Sequence, residues 1–281
     1  QKFRGMVVSD LDGTLLRRDR SVSPEDLRTL MELGSDPVLR VIATGRSLYS
    51  ARAVLADGFP IDYLIFSSGA GIVDWRSKTL VKAHALSADE VGRAMSALRA
   101  LSADFMVHRP IPDNHYFLFY HSGRANPDFA RRCEIYRDFA SPARYEDDYP
   151  GDACEVLAVE PSDGSSAAGL HDLLAKPLSP LAVIRATSPI DGASTWVEIF
   201  PAGVSKGRAA EWIVRAEGVD PHEVLALGND YNDVDLLDWA AVRFVVANAP
   251  EALRARYPSV GHYEASALTE AVNAWRRGKK S

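Results

Sequence analysis

The sequence lacks the features that mark membrane, nucleic-acid-binding and secreted proteins. No apolar run approaches the roughly 18 residues that a membrane span needs, and the first residues show no charged segment followed by an apolar one. The formal net charge is −6, and Lys and Arg are scattered except in the closing stretch WRRGKKS, which we expect to be a solvated tail. These absences predict a soluble cytoplasmic protein that binds neither nucleic acid nor a membrane. We expect a monomer or homodimer.

Cysteine is also scarce. Cys133 and Cys154 are the two in the chain, and they show neither CxxC spacing nor histidine-rich surroundings that would suggest zinc. We expect two buried free thiols, and a disulfide is the alternative.

Strand and helix patterns alternate in the first and last parts of the chain. Strands are predicted at 6–9, 38–45, 63–73, 223–229 and 243–247, and helices at 23–34, 47–58, 205–218, 233–240, 250–257 and near 267–275. This alternation is typical of an α/β fold, in which a parallel sheet is covered by helices on both faces.

The middle of the chain has a different, α+β pattern. Ser87 and Glu90 form a capping box before a helix, and further strands are predicted at 115–120, 155–161, 181–188 and 195–201, with helices at 127–140 and 167–175. The strands predicted at 181–188 and 195–201 look like an antiparallel pair. Because 281 residues exceed the usual single domain, we predict a discontinuous core, 1–83 and 203–281, with an inserted domain at 84–202.

Two carboxylates, Asp10 and Asp12, end the first predicted strand in the stretch MVVSDLDGTLL. The carboxyl ends of parallel strands are where open α/β sheets bind ligands. Neighbouring carboxylates are costly unless a cation joins them or one holds a proton. Mg²⁺ between carboxylates and a phosphate would meet that need, and one carboxylate would then attack phosphorus while the other moves a proton.

Three later stretches supply groups that fit such a site. VIATGR ends the second strand with Thr44, whose hydroxyl can bond a phosphoryl oxygen. GVSKG places Lys206 in the first turn of a helix, where a cation is unfavourable unless an anion lies nearby. GNDYND follows another strand and offers oxygen atoms from Asn229, Asp230, Asn232 and Asp233. Each stretch alone has an ordinary explanation as a turn, a cap or a solvated side chain, but their order along the chain predicts one site.

Together these stretches resemble the four motifs of the haloacid dehalogenase superfamily, in particular its Cof-type (class IIB) branch with a C2-type cap. DLDGTLL resembles the first motif, ATGR the second, GVSKG the third and GNDYND the fourth. The resemblance spans essentially the whole chain. It implies a Rossmann-like parallel-sheet core with helices on both faces, plus an inserted α+β cap that sets substrate specificity.

The resemblance also implies a role for each motif residue. Asp10 would be the nucleophile and a metal ligand, and Asp12 the general acid/base, which would bind Mg²⁺ through its backbone carbonyl. Thr44 and Lys206 would hold the transferring phosphoryl group. The remaining predicted substrate contacts in the core are Thr14, Gly45, Arg46 and Asn232.

The fourth motif departs from the Gly-Asp-x-x-Asn-Asp pattern of the branch, because Asn229 follows Gly228. We assign Asn229 and Asp233 to the metal site, with Asp230 as the alternative member. A neutral amide in this position would hold the metal with less total charge.

In the inserted domain, polar residues at turns are candidate substrate contacts: His108, Arg109, Asn114 and Asp191. The stretch TSPIDGASTWVEI contains Ser188, Asp191 and Ser194, which can bond sugar hydroxyls. It reads equally as a plain hairpin loop, which is the interpretation we prefer.

The function that the resemblance implies is Mg²⁺-dependent hydrolysis of small phosphorylated metabolites, sugar phosphates above all, through an aspartyl-phosphate intermediate. An Asp at position 12 argues against the family members that cleave carbon–halogen or carbon–phosphorus bonds and against the ion pumps. The alternatives are a phosphoglycosyl metabolite phosphatase of the mannosyl-3-phosphoglycerate or sucrose-phosphate type, a phosphomutase, and a catalytically silent phospho-ligand sensor.

Overall fold

The computed structural model describes residues 3–143, 149, 151–162 and 169–278. The end of the predicted basic tail and the first two residues of the helix predicted at 167–175 lie outside these described residues. The chain divides into two compact units, Gln1–Lys82 with Ser205–Ser281, and Ala83–Val204. None of the described helices is long and apolar enough to cross a membrane.

The elements are numbered in chain order. The strands are β1 (Gly5–Ser9), β2 (Val38–Ala43), β3 (Tyr63–Phe66), β4 (Gly71–Asp74), β5 (Thr79–Ala83), β6 (Asp104–His108), β7 (Phe117–Tyr120), β8 (Ala140–Pro142), β9 (Glu155–Glu160), β10 (Ala182–Thr187), β11 (Thr195–Phe200), β12 (Val224–Gly228), β13 (Val242–Val246) and β14 (Ser259–Val260). The helices are α1 (Pro24–Ser35), α2 (Leu48–Arg52), α3 (Ala88–Ala100), α4 (Pro127–Ile135), α5 (Leu170–Ala175), α6 (Lys206–Glu217), α7 (Val234–Trp239), α8 (Glu251–Arg256) and α9 (Ala267–Gly278).

The first unit is built on a sheet with the strand order β14-β13-β12-β1-β2-β3-β4-β5. The strands from β14 to β3 are parallel, and β4 runs antiparallel to β3. Met6 of β1 packs with Ile213 of α6 and Leu236 of α7 on one face, whereas a Cβ on the preceding Gly5 would meet Trp275 of α9. Because neighbouring strand residues face opposite sides, helices cover both faces, and the α/β fold class is confirmed.

Two predicted elements of this unit are wrong in detail. The strand predicted at 63–73 is two antiparallel strands, β3 and β4, because Ser67, Ser68 and Gly69 between them have φ of 46°, 52° and 108° and turn the chain back. The helix predicted at 47–58 ends at Arg52. Beyond it the backbone forms turns, in which the amides of residues 54 and 55 both bond the carbonyl of residue 51.

The second unit has a sheet with the order β10-β11-β9-β6-β7-β8, antiparallel except for the β7–β8 pair. Its apolar residues form two clusters, one packed with α3 and α5 and the other with α4. The predicted capping box of Ser87 and Glu90 starts α3, and the predicted β10–β11 pair is antiparallel. Strand β6 was not predicted, because its five residues lie between loops and show no clear alternation.

Both cysteines lie in this unit, and they form no disulfide within the described residues. Cys154 is buried, as expected, but Cys133 is partly exposed, since it lies on α4 at the edge of the cluster that this helix covers.

Candidate active site

The carboxyl ends of β1, β2 and β12 bring the predicted motifs together. Asp10 directly follows β1, and its backbone N–H donates to the carbonyl of Leu227 in β12 at 2.9 Å. Thr44 directly follows β2, and its N–H donates to the carbonyl of Ile65 in β3 at 2.9 Å. These strands are parallel, so their carboxyl ends form one edge of the sheet, where ligands bind in open α/β folds.

Lys206, the first residue of α6, joins three of the motifs. Its Nζ lies 2.8 Å from Asp10 Oδ1, 2.6 Å from Asp233 Oδ1 and, in a weaker contact, 3.4 Å from Asn232 Oδ1. The side chain is fully buried. Burial alone lowers the pKa of Lys206, but the charges of Asp10 and Asp233 outweigh it and raise the pKa. Lys206 is therefore a buried cation between two carboxylates.

One carboxylate oxygen of Asp10 accepts a hydrogen bond, and the other has no partner among the described residues. Oδ1 accepts the hydrogen bond from Lys206, whereas Oδ2 is buried and has no hydrogen-bond partner among the described residues. Burial raises the pKa of Asp10, Lys206 opposes the rise, and the charges of Asp233 and Asp12 add to it. A buried carboxylate oxygen without a protein partner is free to bind water, an ion or a ligand.

Asp12 is paired with Arg46 rather than with a second carboxylate. Arg46 Nε and Nη2 lie 2.7 Å from Asp12 Oδ2 and Oδ1 respectively, and Nη1 donates to the carbonyl of Ser50 at 3.3 Å. The N–H of Arg46 also donates to Thr44 Oγ1 at 3.1 Å. The sequence predicted Arg46 as a substrate contact; in the structure its guanidinium has a protein partner.

Asp233, the last carboxylate of the fourth motif, binds Lys206. Asp233 is fully buried, and while its Oδ1 accepts from Lys206, its Oδ2 accepts the backbone N–H groups of Asn229 and Asp230 at 2.8 Å and 3.1 Å. Both oxygens are thus engaged by protein donors. The assignment of Asp233 as a metal ligand stays a prediction, and the geometry favours a role in fixing Lys206 and the turn.

Gly13 keeps the loop after the carboxylates close to the fourth motif. Its φ is +71°, and a Cβ there would lie 2.7 Å from the side-chain nitrogen of Asn229. Asn248, which the sequence reasoning missed, donates from Nδ2 to the Gly13 carbonyl at 2.8 Å and accepts the N–H of Tyr263. Its position just after β13, at the same edge of the sheet, is the signal that would have found it.

The turn between β3 and β4 is a second missed feature. The N–H of Ser68 donates to the Thr44 carbonyl at 3.0 Å, and that of Ser67 donates to the Arg46 carbonyl at 2.8 Å. Gly69 passes so close to the carbonyl of Ser205 that a Cβ would clash. Three consecutive residues with positive φ are uncommon, and such strain concentrates at functional sites. The turn therefore fixes the second motif against the start of α6.

The other predicted contacts differ in their surroundings. Thr14 is buried, and its Oγ1 has no partner in the part of the chain that the structure describes, while Gly45 is partly exposed. In the second unit, Ser188 donates to Asp128, and Asp191 accepts from Ser194 Oγ and from the amides of residues 193 and 194. The preferred interpretation of 187–199 as a hairpin loop agrees with these local bonds.

The oxygen atoms at the sheet edge fit a hard divalent cation. No group of three His, Cys, Asp or Glu side chains able to hold a metal occurs within the described ranges. The donors available are of mixed type: the carboxylate of Asp10, the backbone carbonyl of Asp12, and the side-chain oxygen of Asn229 or Asp230. Carboxylate, carbonyl and amide oxygens are the ligands that Mg²⁺ and Ca²⁺ prefer, and Mg²⁺ commonly keeps several waters. The donor set therefore fits such an ion.

Comparison with known proteins gives the family. A family model described as haloacid dehalogenase-like hydrolase matches residues 7–266. The chain belongs to this family. The HMP-PP phosphatase of Serratia proteamaculans is 27% identical to this haloacid dehalogenase-like hydrolase over 97% of the chain and 95% of the relative.

Two solved structures show the same fold as this haloacid dehalogenase-like hydrolase. The superfamily phosphatase BT1666 of Bacteroides thetaiotaomicron has a TM-score of 0.77 at 20% identity, covering 98% of this chain and 96% of that one. The subclass IIB sugar phosphatase BT4131 has a TM-score of 0.74 at 16% identity, covering 97% and 99%. The Cof-type resemblance, the fold with its α+β unit and the enzyme class are confirmed: this haloacid dehalogenase-like hydrolase is a phosphatase.

Proposed function

We propose that the protein is a Mg²⁺-dependent phosphomonoester hydrolase of small phosphorylated metabolites, with sugar phosphates as the favoured substrates. The observation that carries the proposal is Asp10, whose Oδ2 is buried and without a partner among the described residues while Lys206 fixes Oδ1. A carboxylate held in this way is oriented to attack phosphorus.

The first chemical step transfers the phosphoryl group to Asp10. Oδ2 forms a bond to phosphorus as the bond from phosphorus to the ester oxygen breaks, and the electron pair leaves with that oxygen. In the form in which Asp12 is protonated, it gives its proton to the departing oxygen, so that an alcohol is released. The products of this step are the alcohol and an aspartyl phosphate on Asp10.

The second step returns the enzyme to its starting state. Asp12, now a carboxylate, takes a proton from a water molecule whose oxygen attacks phosphorus. The bond from phosphorus to Asp10 breaks, inorganic phosphate leaves, and the Asp10 carboxylate is restored. One pair of carboxylates thus supplies the nucleophile and the proton carrier.

The remaining side chains bind and orient the phosphoryl group. Lys206 supplies a buried positive charge within 2.8 Å of the nucleophile, where phosphoryl oxygens would lie. The hydroxyl groups of Thr14 and Thr44, the backbone amide of Gly45 and the amide group of Asn232 are the further contacts that we propose.

The metal would be held by Asp10, by the backbone carbonyl of Asp12 and by Asn229 or Asp230. When bound, Mg²⁺ supplies positive charge that offsets the negative charge of the phosphoryl oxygens and of the carboxylates. We propose Asn229 before Asp230, because Asn229 occupies the position directly after β12.

We also propose that the second unit, Ala83–Val204, is the domain that sets substrate specificity. The relatives differ in the substrates that their names give, HMP-PP for one and a sugar phosphate for another. The cytoplasmic location and the monomeric or homodimeric state stay predictions.

A phosphate-release assay over a panel of sugar phosphates tests the proposed function. We expect activity that requires Mg²⁺ and is lost in Asp10→Asn, whereas Asp57→Asn, which changes an exposed carboxylate of the same unit, keeps full activity. Phosphate release without a divalent cation, or undiminished release by Asp10→Asn, would contradict the proposal.

A further inference from the structure

Lys206 is held by its backbone as well as by its ammonium group. It is the first residue of α6, and its fully buried side chain reaches the carboxylates of Asp10 and Asp233. A misplacement of about 1 Å can remove a large part of a reaction rate. The position of the Lys206 backbone therefore matters as much as the charge at the end of its side chain.

Asp235 of α7 binds the chain on both sides of Lys206. Its Oδ2 accepts the backbone N–H of Gly207 at 2.9 Å, and its carboxylate is hydrogen-bonded to the side chain of Ser205. Ser205 Oγ also accepts the N–H of Arg208 at 3.2 Å and so caps α6. The residues directly before and after Lys206 are thereby bound to one carboxylate.

Gly207 lets this carboxylate approach α6. A Cβ on Gly207 would lie 2.7 Å from Asp235 Oδ2 and 2.9 Å from the Asp235 carbonyl oxygen, which is closer than a Cβ and an oxygen normally come. The Ser205 carbonyl is confined too, because Gly69, in the turn between β3 and β4, passes so close that a Cβ there would clash. The stretch from Ser205 to Gly207 therefore has little room to shift.

Asp233 and Asp235 bind Lys206 and its neighbours from the same short segment. Asp233 Oδ1 lies 2.6 Å from Lys206 Nζ, whereas Asp235, two residues later, binds the backbone and side chain of the residues next to Lys206. The first carboxylate thus fixes the ammonium end of the lysine, and the second fixes its backbone end. A shift of the start of α6 would move Nζ away from Asp10.

We propose that Asp235 is a positioning residue, which fixes the start of α6 so that Lys206 Nζ lies where the phosphoryl oxygens bind. The role of Lys206 itself rests on the proposed function. Asp235 acts through its hydrogen bonds rather than through its charge. An amide of the same shape can make both bonds, because its oxygen accepts from Gly207 and its nitrogen donates to Ser205 Oγ.

Asp235→Ala and Asp235→Asn separate position from charge. In Asp235→Ala we expect kcat to fall about 5- to 50-fold, because the lysine charge is displaced. The fall should agree within about twofold on p-nitrophenyl phosphate and glycerol 3-phosphate, since Lys206 acts on the phosphoryl oxygens and not on the leaving group. Asp235→Asn should keep kcat within about threefold of the native value. A loss in Asp235→Asn as large as in Asp235→Ala would assign the effect to charge and overturn the proposal.

Asp26→Ala is the matched control. Asp26 is a fully buried carboxylate of the same unit, and its Oδ1 accepts the N–H of Thr269 at 2.8 Å and the Thr269 hydroxyl at 2.7 Å, in the first turn of α9. We expect native kcat on both substrates, and urea denaturation confirms that each variant is folded in the assay. A fall in Asp26→Ala as large as in Asp235→Ala would contradict a specific role for Asp235.

Gly207→Ala disturbs the same contact while Asp235 stays in the chain. The added Cβ pushes the carboxylate away from α6, so we expect the same equal fall in kcat on the two substrates. Alanine favours helix more than glycine does, and a fall is therefore not explained by a weaker helix. This variant provides the test if Asp235→Ala does not fold, and native kcat in Gly207→Ala would overturn the proposal.

NMR of the lysine ammonium groups tests the position of Lys206 without turnover. The signal of Lys206, identified by its absence in Lys206→Met, should shift in Asp235→Ala, much less in Asp235→Asn and not in Asp26→Ala. An unshifted signal in Asp235→Ala would show that Asp235 does not position Lys206. If the native enzyme hydrolyses neither phosphate ester, the proposed function fails, and this shift alone then supports or overturns the positioning role.

Discussion

Arg46 holds the carboxylate of Asp12 with two nitrogens, each 2.7 Å from a different oxygen. Such a two-point contact fixes the direction of the carboxylate, which a single ammonium group does not do. Asp12 is the group that we propose to carry the proton, so its direction decides whether the proton reaches the leaving oxygen.

Substitution of Arg46 should therefore lower kcat more for substrates with poor leaving groups than for substrates with good ones. We expect Arg46→Lys to lower kcat on an alkyl phosphate about 10- to 100-fold, and the effect on p-nitrophenyl phosphate to be several times smaller, because that leaving group needs little protonation. Steady-state kinetics on both substrates gives the comparison. Equal losses on the two would show that Arg46 does not act through Asp12, and Arg52→Lys, on the exposed side of α2, is the matched control.

Loss of the Lys206 cation should destabilise the fold as well as abolish activity. In Lys206→Met, the fully buried Asp233 and the nearly buried Asp10 lose their charge partner, and breaking a buried pair in this way costs about 3–5 kcal/mol of unfolding free energy. Urea denaturation measures this difference. Asp10→Asn should lower the unfolding free energy much less, since Lys206 keeps Asp233 as its partner. A larger decrease in Asp10→Asn than in Lys206→Met would show that Lys206 is not the shared partner of the two carboxylates.

The neutral amide of Asn229 should limit metal affinity. In Asn229→Asp an added negative charge at the metal should lower the Mg²⁺ concentration for half-maximal activity roughly tenfold. Asp230→Asn should leave that concentration nearly unchanged. The reverse result, with a higher Mg²⁺ requirement in Asp230→Asn and no gain in Asn229→Asp, would assign the ligand to Asp230.

His108 should make the second unit sensitive to acid. Its pKa is about 3 in the folded protein and 6.5 without the fold. Between these values the unfolded chain binds a proton that the folded chain does not, so stability decreases as pH falls below about 6.5. His108→Phe removes this term, and its thermal midpoint should drop less than that of the native chain between pH 7 and pH 4.5. Equal drops would show that His108 is not held neutral.

Short sequence patterns were enough to predict the α/β class, the capping box of Ser87 and Glu90, and the clustering of Asp10, Thr44 and Lys206. These depend on local periodicity and on the rule that parallel strands end at one edge. The contact of Arg46 with Asp12 could not be predicted, because a guanidinium suits a phosphate as well as a carboxylate.

The turn at Ser67–Gly69 was missed for a related reason. Ser67 and Ser68 have positive φ, a conformation that nothing in their residue type favours and that neighbouring parts of the fold impose. The apolar residues on both sides of the turn therefore looked like one strand.

The most direct test of the account is whether Asp10 becomes phosphorylated during turnover. The native enzyme and Asp12→Asn would be mixed with Mg²⁺ and p-nitrophenyl phosphate, quenched in acid within milliseconds, digested and analysed by mass spectrometry. The account predicts one phosphoryl group on Asp10, at higher occupancy in Asp12→Asn because its second step lacks the base. Full phosphatase activity in the native enzyme with no phosphoryl group on Asp10, or with the group on another residue, would contradict it.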